Sequence, residues 1–192
     1  MRLLHIDSSI LGESSASRQL SREIVARWQA DRPDLQVKYR DLAAQALPHL
    51  SGRSLAQADE HESAANVQVL EDFLAADVIV IGAPMYNFGI PSQLKAWIDR
   101  IVVAGKTFRY GTSGPEGLAK GKQVIVAASR GGVYAPGAAG EFAEAYLRFV
   151  FGFIGIQDIT FVRAEGLALS PEHRARSLRA ALATISAHAI AA

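Results

Sequence analysis

The chain has 192 residues, 49% hydrophobic and 20% charged, which suits one globular domain with a sizeable core. Twenty Lys and Arg stand against nineteen Asp and Glu, so no bulk charge draws the protein to nucleic acid or an anionic membrane. The absence of cysteine excludes a disulfide framework, a thiolate nucleophile, an iron–sulfur cluster and a Cys-based zinc site, and is compatible with a reducing cytosol.

Met1–Ile6 has the apolarity of a short signal core, but His5 and Asp7 interrupt it and no cleavage pattern follows. The apolar run Leu3–Ile6 instead predicts a first strand covered on both faces. Leu20, Ile24 and Trp28 then recur every fourth residue, on one face of a helix ending before Pro33. Leu35–Arg40 alternates apolar and polar residues and predicts a less covered strand. Val67, Leu70, Phe73 and Leu74 mark the next helix, and the β-branched Val78–Ile81 a central strand.

After a loop at Ala83–Pro91, Leu94, Trp97, Ile98 and Ile101 stripe another helix, and Val124–Ala128 is a buried strand. Phe142, Tyr146, Phe149, Val150 and Phe153 give the following helix its face. Ile159–Val162 is the last strand, and Leu178, Ala181, Leu182 and Ile185 stripe a C-terminal helix. The longest apolar stretches, Phe73–Met85 and Ala145–Ile156, are too short to span a membrane. Five strands separated by helices predict right-handed βαβ crossovers. The expected fold is therefore α/β, a doubly wound five-stranded parallel sheet with helices on both faces, in a single domain over residues 1–192.

Ligands of such sheets bind beyond the carboxyl ends of the strands, at the switch in strand order. Three loops reach that edge. The first, Asp7–Arg18, carries five serines and one glycine between a strand and a helix start. Free amides and hydroxyls there favour a phosphate, each bond to a charged partner contributing roughly 1.5–3 kcal/mol. Capping of the helix by Ser14, Ser15 or Ser17 is the alternative. Neither a Walker loop nor a G-x-G-x-x-G fingerprint is present.

The second loop, Gly82–Pro91, groups Met85, Tyr86, Asn87 and Phe88, which suit a flat ring with one polar edge or, alternatively, plain packing. In the third, Ser129, Arg130, Gly131 and Gly132 either let a ligand approach the backbone or form a glycine turn. The five histidines are scattered without ligand spacing, so no metal is expected, and no G-x-S-x-G elbow supports a serine hydrolase.

Ala83-Pro-Met-Tyr-Asn-Phe88, Lys95-Ala-Trp-Ile-Asp99, Thr107-Phe-Arg-Tyr110, Gly114-Pro-Glu-Gly117, Ser129-Arg-Gly-Gly132, Gly152-Phe-Ile-Gly-Ile156 and Ala164-Glu-Gly166 span nearly the whole chain. Together they resemble the FMN-dependent NADH:quinone oxidoreductase and NADH-azoreductase family. The resemblance implies a flavodoxin-like fold, a homodimer, non-covalent FMN, and NADH as electron donor to quinones and azo compounds in ping-pong order. It further implies that Ser9 and Ser15, Ala16 and Ser17 hold the FMN phosphate, that Met85–Phe88 line the ring, and that Ser129–Gly132 meet its pyrimidine edge. Asn87, Tyr110 and Phe153 would then face the substrate, with part of the wall from the partner chain and no mandatory catalytic acid. The stretch between His49 and Asn66 is shorter than in family members that insert a loop there, a departure that bears on pocket size.

Leu147 and Phe151 lie off the main stripe of their helix, so a twofold dimer is expected to cover them, with tighter burial in one subunit as the alternative. A cytoplasmic protein is expected. An electron-carrier flavodoxin with no substrate of its own is the competing reading, and the balanced charge counts against it. Phosphodiester hydrolysis at the serine loop is a third.

Overall fold

The computed structural model describes residues 1–56, 60–112, 114–135 and 138–188. In chain order its elements are β1 (Arg2–Asp7), α1 (Ala16–Asp31), β2 (Gln36–Asp41), α2 (Gly52–Leu55), α3 (Glu60–Ala75), β3 (Val78–Pro84) and α4 (Ser92–Ile101). There follow β4 (Phe108–Gly111), β5 (Gly114–Gly117), β6 (Gln123–Ser129), α5 (Ala143–Phe153), β7 (Asp158–Ala164) and α6 (Pro171–His188). Among the described residues, five strands pair in parallel in the order β2-β1-β3-β6-β7, the doubly wound sheet expected. The order reverses between β1 and β3, which puts the switch point there.

Alternation along each strand divides the core between the two faces of the sheet. Leu4, Ile6, Ile79, Ile81, Val124 and Val126 join Phe73, Leu94, Trp97, Leu147 and Phe151 on one side. Leu3, Val78, Val80, Ile125 and Val162 join Leu20, Ile24, Trp28, Ala181 and Ile185 on the other. The stripes expected for α1, α4 and α6 therefore face the sheet. No helix among the described residues is long and apolar enough to cross a membrane.

Three expectations are corrected. In α3 the inward face carries Val69, Phe73 and, just past the helix, Ala76, while Val67 and Leu74 are exposed. In α5 Leu147 and Phe151, expected off the stripe, are buried together with Val150, and Tyr146 and Phe153 pack against the core, whereas Phe142, just before the helix, and Phe149 are exposed at 64% and 75%. A helix apolar nearly all round does not reveal by periodicity which side meets the sheet. Finally, Phe108–Gly117 forms an antiparallel pair of strands, β4 and β5, that no alternation signals. In the short stretch between His49 and Asn66, positions 57–59 lie outside the described residues.

Candidate functional site

Register aligns the carboxyl ends of the strands. Asp7 pairs with both Asp41 and Gly82, and Ser129 pairs with Pro84 and Ala164. The three unusual loops therefore emerge side by side. Ser15 caps α1: extended at φ −76 and ψ 124, it accepts a hydrogen bond from the Arg18 amide through its hydroxyl. Its hydroxyl also meets that of Ser17 at 3.1 Å. Among the described residues, the amides of Ala16 and Ser17 have no hydrogen-bond partner, although both residues are buried. Two orphaned donors at a helix start and three buried hydroxyls, those of Ser9, Ser15 and Ser17, fit an anionic group without any lysine.

A bond from the Met85 amide to the Ser129 carbonyl at 2.8 Å holds the loop after β3. Tyr86 and Gly89 exchange both backbone bonds at 3.0 Å, so Asn87 and Phe88 form a two-residue turn at φ 48 and φ 67. The Tyr86 hydroxyl reaches back to Ser9 Oγ at 3.1 Å and accepts from the Ile10 amide at 3.3 Å. First and second loops are thus tied together.

The loop after β6 is held from behind. Carbonyls of Arg130, Gly131 and Gly132 accept from Leu167, Ala168 and Gly166 at 2.8–3.1 Å, and the Arg130 amide donates to Ala164. Among the described residues the amides of Gly131 and Gly132 have no partner. These two are well placed to meet a carbonyl-bearing ring edge. Arg130, 5% exposed, places its guanidinium 3.0 Å from Glu144, 3.4 Å from Glu141 and 3.6 Å from Glu165. The Arg130 side chain thus braces the loop that carries the two glycines.

Tyr110 and Phe153 are brought together through Phe108, whose ring lies 5.5 Å from Tyr110 and 4.8 Å from Phe153. Gly140 lies against the Phe88 ring, so the segment before α5 reaches the tip of the second loop.

Behind the serine loop lies a buried polar network. Asp7 accepts from Ser21 at 2.8 Å and from the Tyr39 hydroxyl at 3.1 Å, close against Gly82, where a Cβ would stand 2.3 Å from its carboxylate. Arg18 pairs with both oxygens of Asp41 at 2.7 Å. Its hydrogen bond lowers the Asp41 pKa below the usual carboxylate value, and Asp41 in turn raises that of Arg18. Burial, then the Asp7 and Asp41 charges, push Tyr39 up to about 12. Charged residues at the ends of two adjacent strands were the signal available for this network.

The fold and the paired loops define a flavodoxin-like α/β protein, and the flavodoxin-like fold family matches residues 1–189. The chain belongs, within it, to the FMN-dependent NADH:quinone oxidoreductase family. A member from Xanthomonas oryzae pv. oryzae is 59% identical over 192 residues, covering 100% of this chain and 98% of the relative. One from Stenotrophomonas maltophilia is 55% identical over 190 residues, covering 99% and 97%. Among solved structures, an azoreductase from Bacillus anthracis superposes with a TM-score of 0.89 at 29% identity, covering 98% of each chain. An FMN-dependent NADH-azoreductase from the same species, in complex with FMN, gives 0.86 at 25% identity, covering 98% of this chain and 100% of that one.

Proposed function

We propose that the protein takes two electrons from NADH and passes them to quinones and azo compounds, using FMN bound at the switch point. The observation behind this is a pair of orphaned amides on each of the two loops that flank the one after β3, Ala16 with Ser17 and Gly131 with Gly132. Donors so fixed suit a phosphate at one end and a ring edge at the other. The names of the relatives and the complex of the Bacillus anthracis azoreductase with FMN support the same reading.

When bound, FMN supplies the hydride and electron chemistry. The protein's own residues position and shield it. Ser9, Ser15 and Ser17 hydroxyls, with the two helix-start amides, hold the phosphate. Met85, Tyr86, Asn87 and Phe88 line the ring, with Asn87 offering the polar contact. Gly131 and Gly132 amides would offer hydrogen bonds to the pyrimidine edge of the ring and favour negative charge there. Donor and acceptor take turns in one aromatic slot, a ping-pong order, with Tyr110 and Phe153 in its wall. Stacking needs few polar contacts, so chemically varied acceptors fit.

The chain acts as one domain, in the cytoplasm, and as a homodimer. The apolar surface that supports dimerisation is that of Phe142 and Phe149, not Leu147 and Phe151. Purified protein is expected to be yellow and to bleach on addition of NADH, regaining colour with a quinone. Colourless protein that ignores added FMN would overturn the assignment; FMN retained but inert to NADH would make it an electron carrier. Removing the hydroxyls of Ser9, Ser15 and Ser17 together should weaken FMN binding by several kcal/mol, on the order of 1 kcal/mol or more each. Unchanged retention of the flavin would exclude the phosphate assignment.

A further inference from the structure

Arg18 sits in the first turn of α1, only 7% exposed, yet no chemistry described so far uses it. A guanidinium has five N–H donors, and every one is engaged. Nε and one Nη2 hydrogen point to the Ser9 carbonyl at 3.3 and 2.8 Å. The other Nη2 hydrogen and one on Nη1 form the fork to Asp41, both at 2.7 Å. The last Nη1 hydrogen reaches the Tyr39 hydroxyl at 3.1 Å. No donor remains for a bound phosphate.

The far side of the fork is itself fixed. Asp41 Oδ1 accepts from the amides of Ala43 and Ala44 at 2.9 and 3.2 Å, and Tyr39 donates onward to Asp7. Meanwhile the Arg18 backbone amide donates to Ser15 Oγ. A single residue therefore grips both ends of the serine loop, Ser9 by side chain and Ser15 by amide, and anchors them to the end of β2.

We infer that Arg18 is a positioning residue for cofactor binding: clamped by Asp41, it sets the serine loop in its phosphate-holding shape without touching the phosphate. This rests on the FMN reading above. Its physical content is preorganisation, because a loop already held in its bound form loses less freedom when the ligand arrives.

The test compares FMN with riboflavin, the same ring lacking the phosphate, by fluorescence titration of the apoprotein. Arg18→Met keeps the aliphatic stem and removes the fork. It should weaken FMN by about tenfold or more while changing riboflavin by less than about twofold. Arg18→Lys keeps the charge but cannot hold two acceptors in a fork, so it should fail to rescue FMN affinity. Asp41→Asn leaves Arg18 in place and unclamps it; the preference for FMN over riboflavin should fall several-fold, on the order of one charge-assisted bond. This variant decides the matter if Arg18→Met does not fold.

Full rescue by lysine would mean direct charge pairing with the phosphate and would overturn the inference. An unchanged FMN-to-riboflavin ratio in Arg18→Met, or in Asp41→Asn, would also overturn it, leaving Arg18 a structural residue. A wild-type protein that shows no preference for FMN over riboflavin would instead defeat the underlying phosphate reading.

Discussion

Asn87 and Phe88 both occupy left-handed backbone, at φ 48 and φ 67. Asparagine tolerates that region, whereas for phenylalanine it costs roughly 1–2 kcal/mol. The turn would be more stable with Gly at the second position, the usual choice in a two-residue hairpin. Phe88 also remains 56% exposed, so burial does not offset the strain. An aromatic ring held there at a cost to stability fits a ring placed for function. Phe88→Gly is expected to leave the melting temperature unchanged or raise it, while increasing the KM for a quinone. A marked fall in melting temperature with normal kinetics would instead make Phe88 a packing residue. Capping by Ser15 is readable locally, because the cap and its donor are three residues apart. The grip of Arg18 on Asp41, across 23 positions, is not.

The hairpin of β4 and β5 depends on one close approach between backbones. A Cβ at Gly117 would stand 2.2 Å from the Gly155 amide nitrogen and 2.3 Å from the Ile154 carbonyl carbon, and backbone cannot yield as a side chain can. Gly117→Ala should therefore destabilise by about 1–3 kcal/mol and shift the hairpin that carries Tyr110. Thermal unfolding together with acceptor KM measures both effects; an unaltered melting curve would show that the two segments can separate freely.

Helix α5 is held to β7 by charge as well as by packing. Burial pushes the Glu144 carboxyl up, but hydrogen bonds from Arg163 and Arg148 outweigh it and hold the group below its usual value of 4.5. A carboxylate depressed by folding contributes stability that is present above the unfolded value and lost as pH falls through the folded one. Glu144→Gln should thus cost stability at about pH 7, and the gap to the wild type should narrow by about pH 3. Denaturant unfolding at both values checks the sign. A gap that is constant with pH would assign the effect to packing alone.

At the scale of the molecule, the apolar side chains left outside the core are the guide to assembly. Phe142 and Phe149, seven positions apart and both exposed, lie along one side of α5 and its approach. Large aromatic surface of this kind is usually covered by a partner. Phe149→Glu should convert a dimer to a monomer in sedimentation, with little loss of intrinsic folding stability because the side chain is not part of the core. A dimer unaffected by the charge would place the interface elsewhere. Substrate turnover belongs in the same experiment, since the partner chain is expected to complete the slot.

Residue pattern alone is enough for the order of the five sheet strands and the long helices between them, and with it the parallel doubly wound sheet. Periods of two and near 3.6 are local, and each strand–helix–strand unit allows one handedness. It also marked the serine, aromatic and glycine loops, because turn and capping residues act on their neighbours. Packing set which side of α5 is buried, since Leu147 and Phe149 are equally apolar and the sheet chooses between them. Likewise it turned Arg130 away into Glu141, Glu144 and Glu165, and closed Arg18 onto Asp41. Pairs of that kind form between residues far apart in the chain, once parallel strands bring their carboxyl ends to one edge.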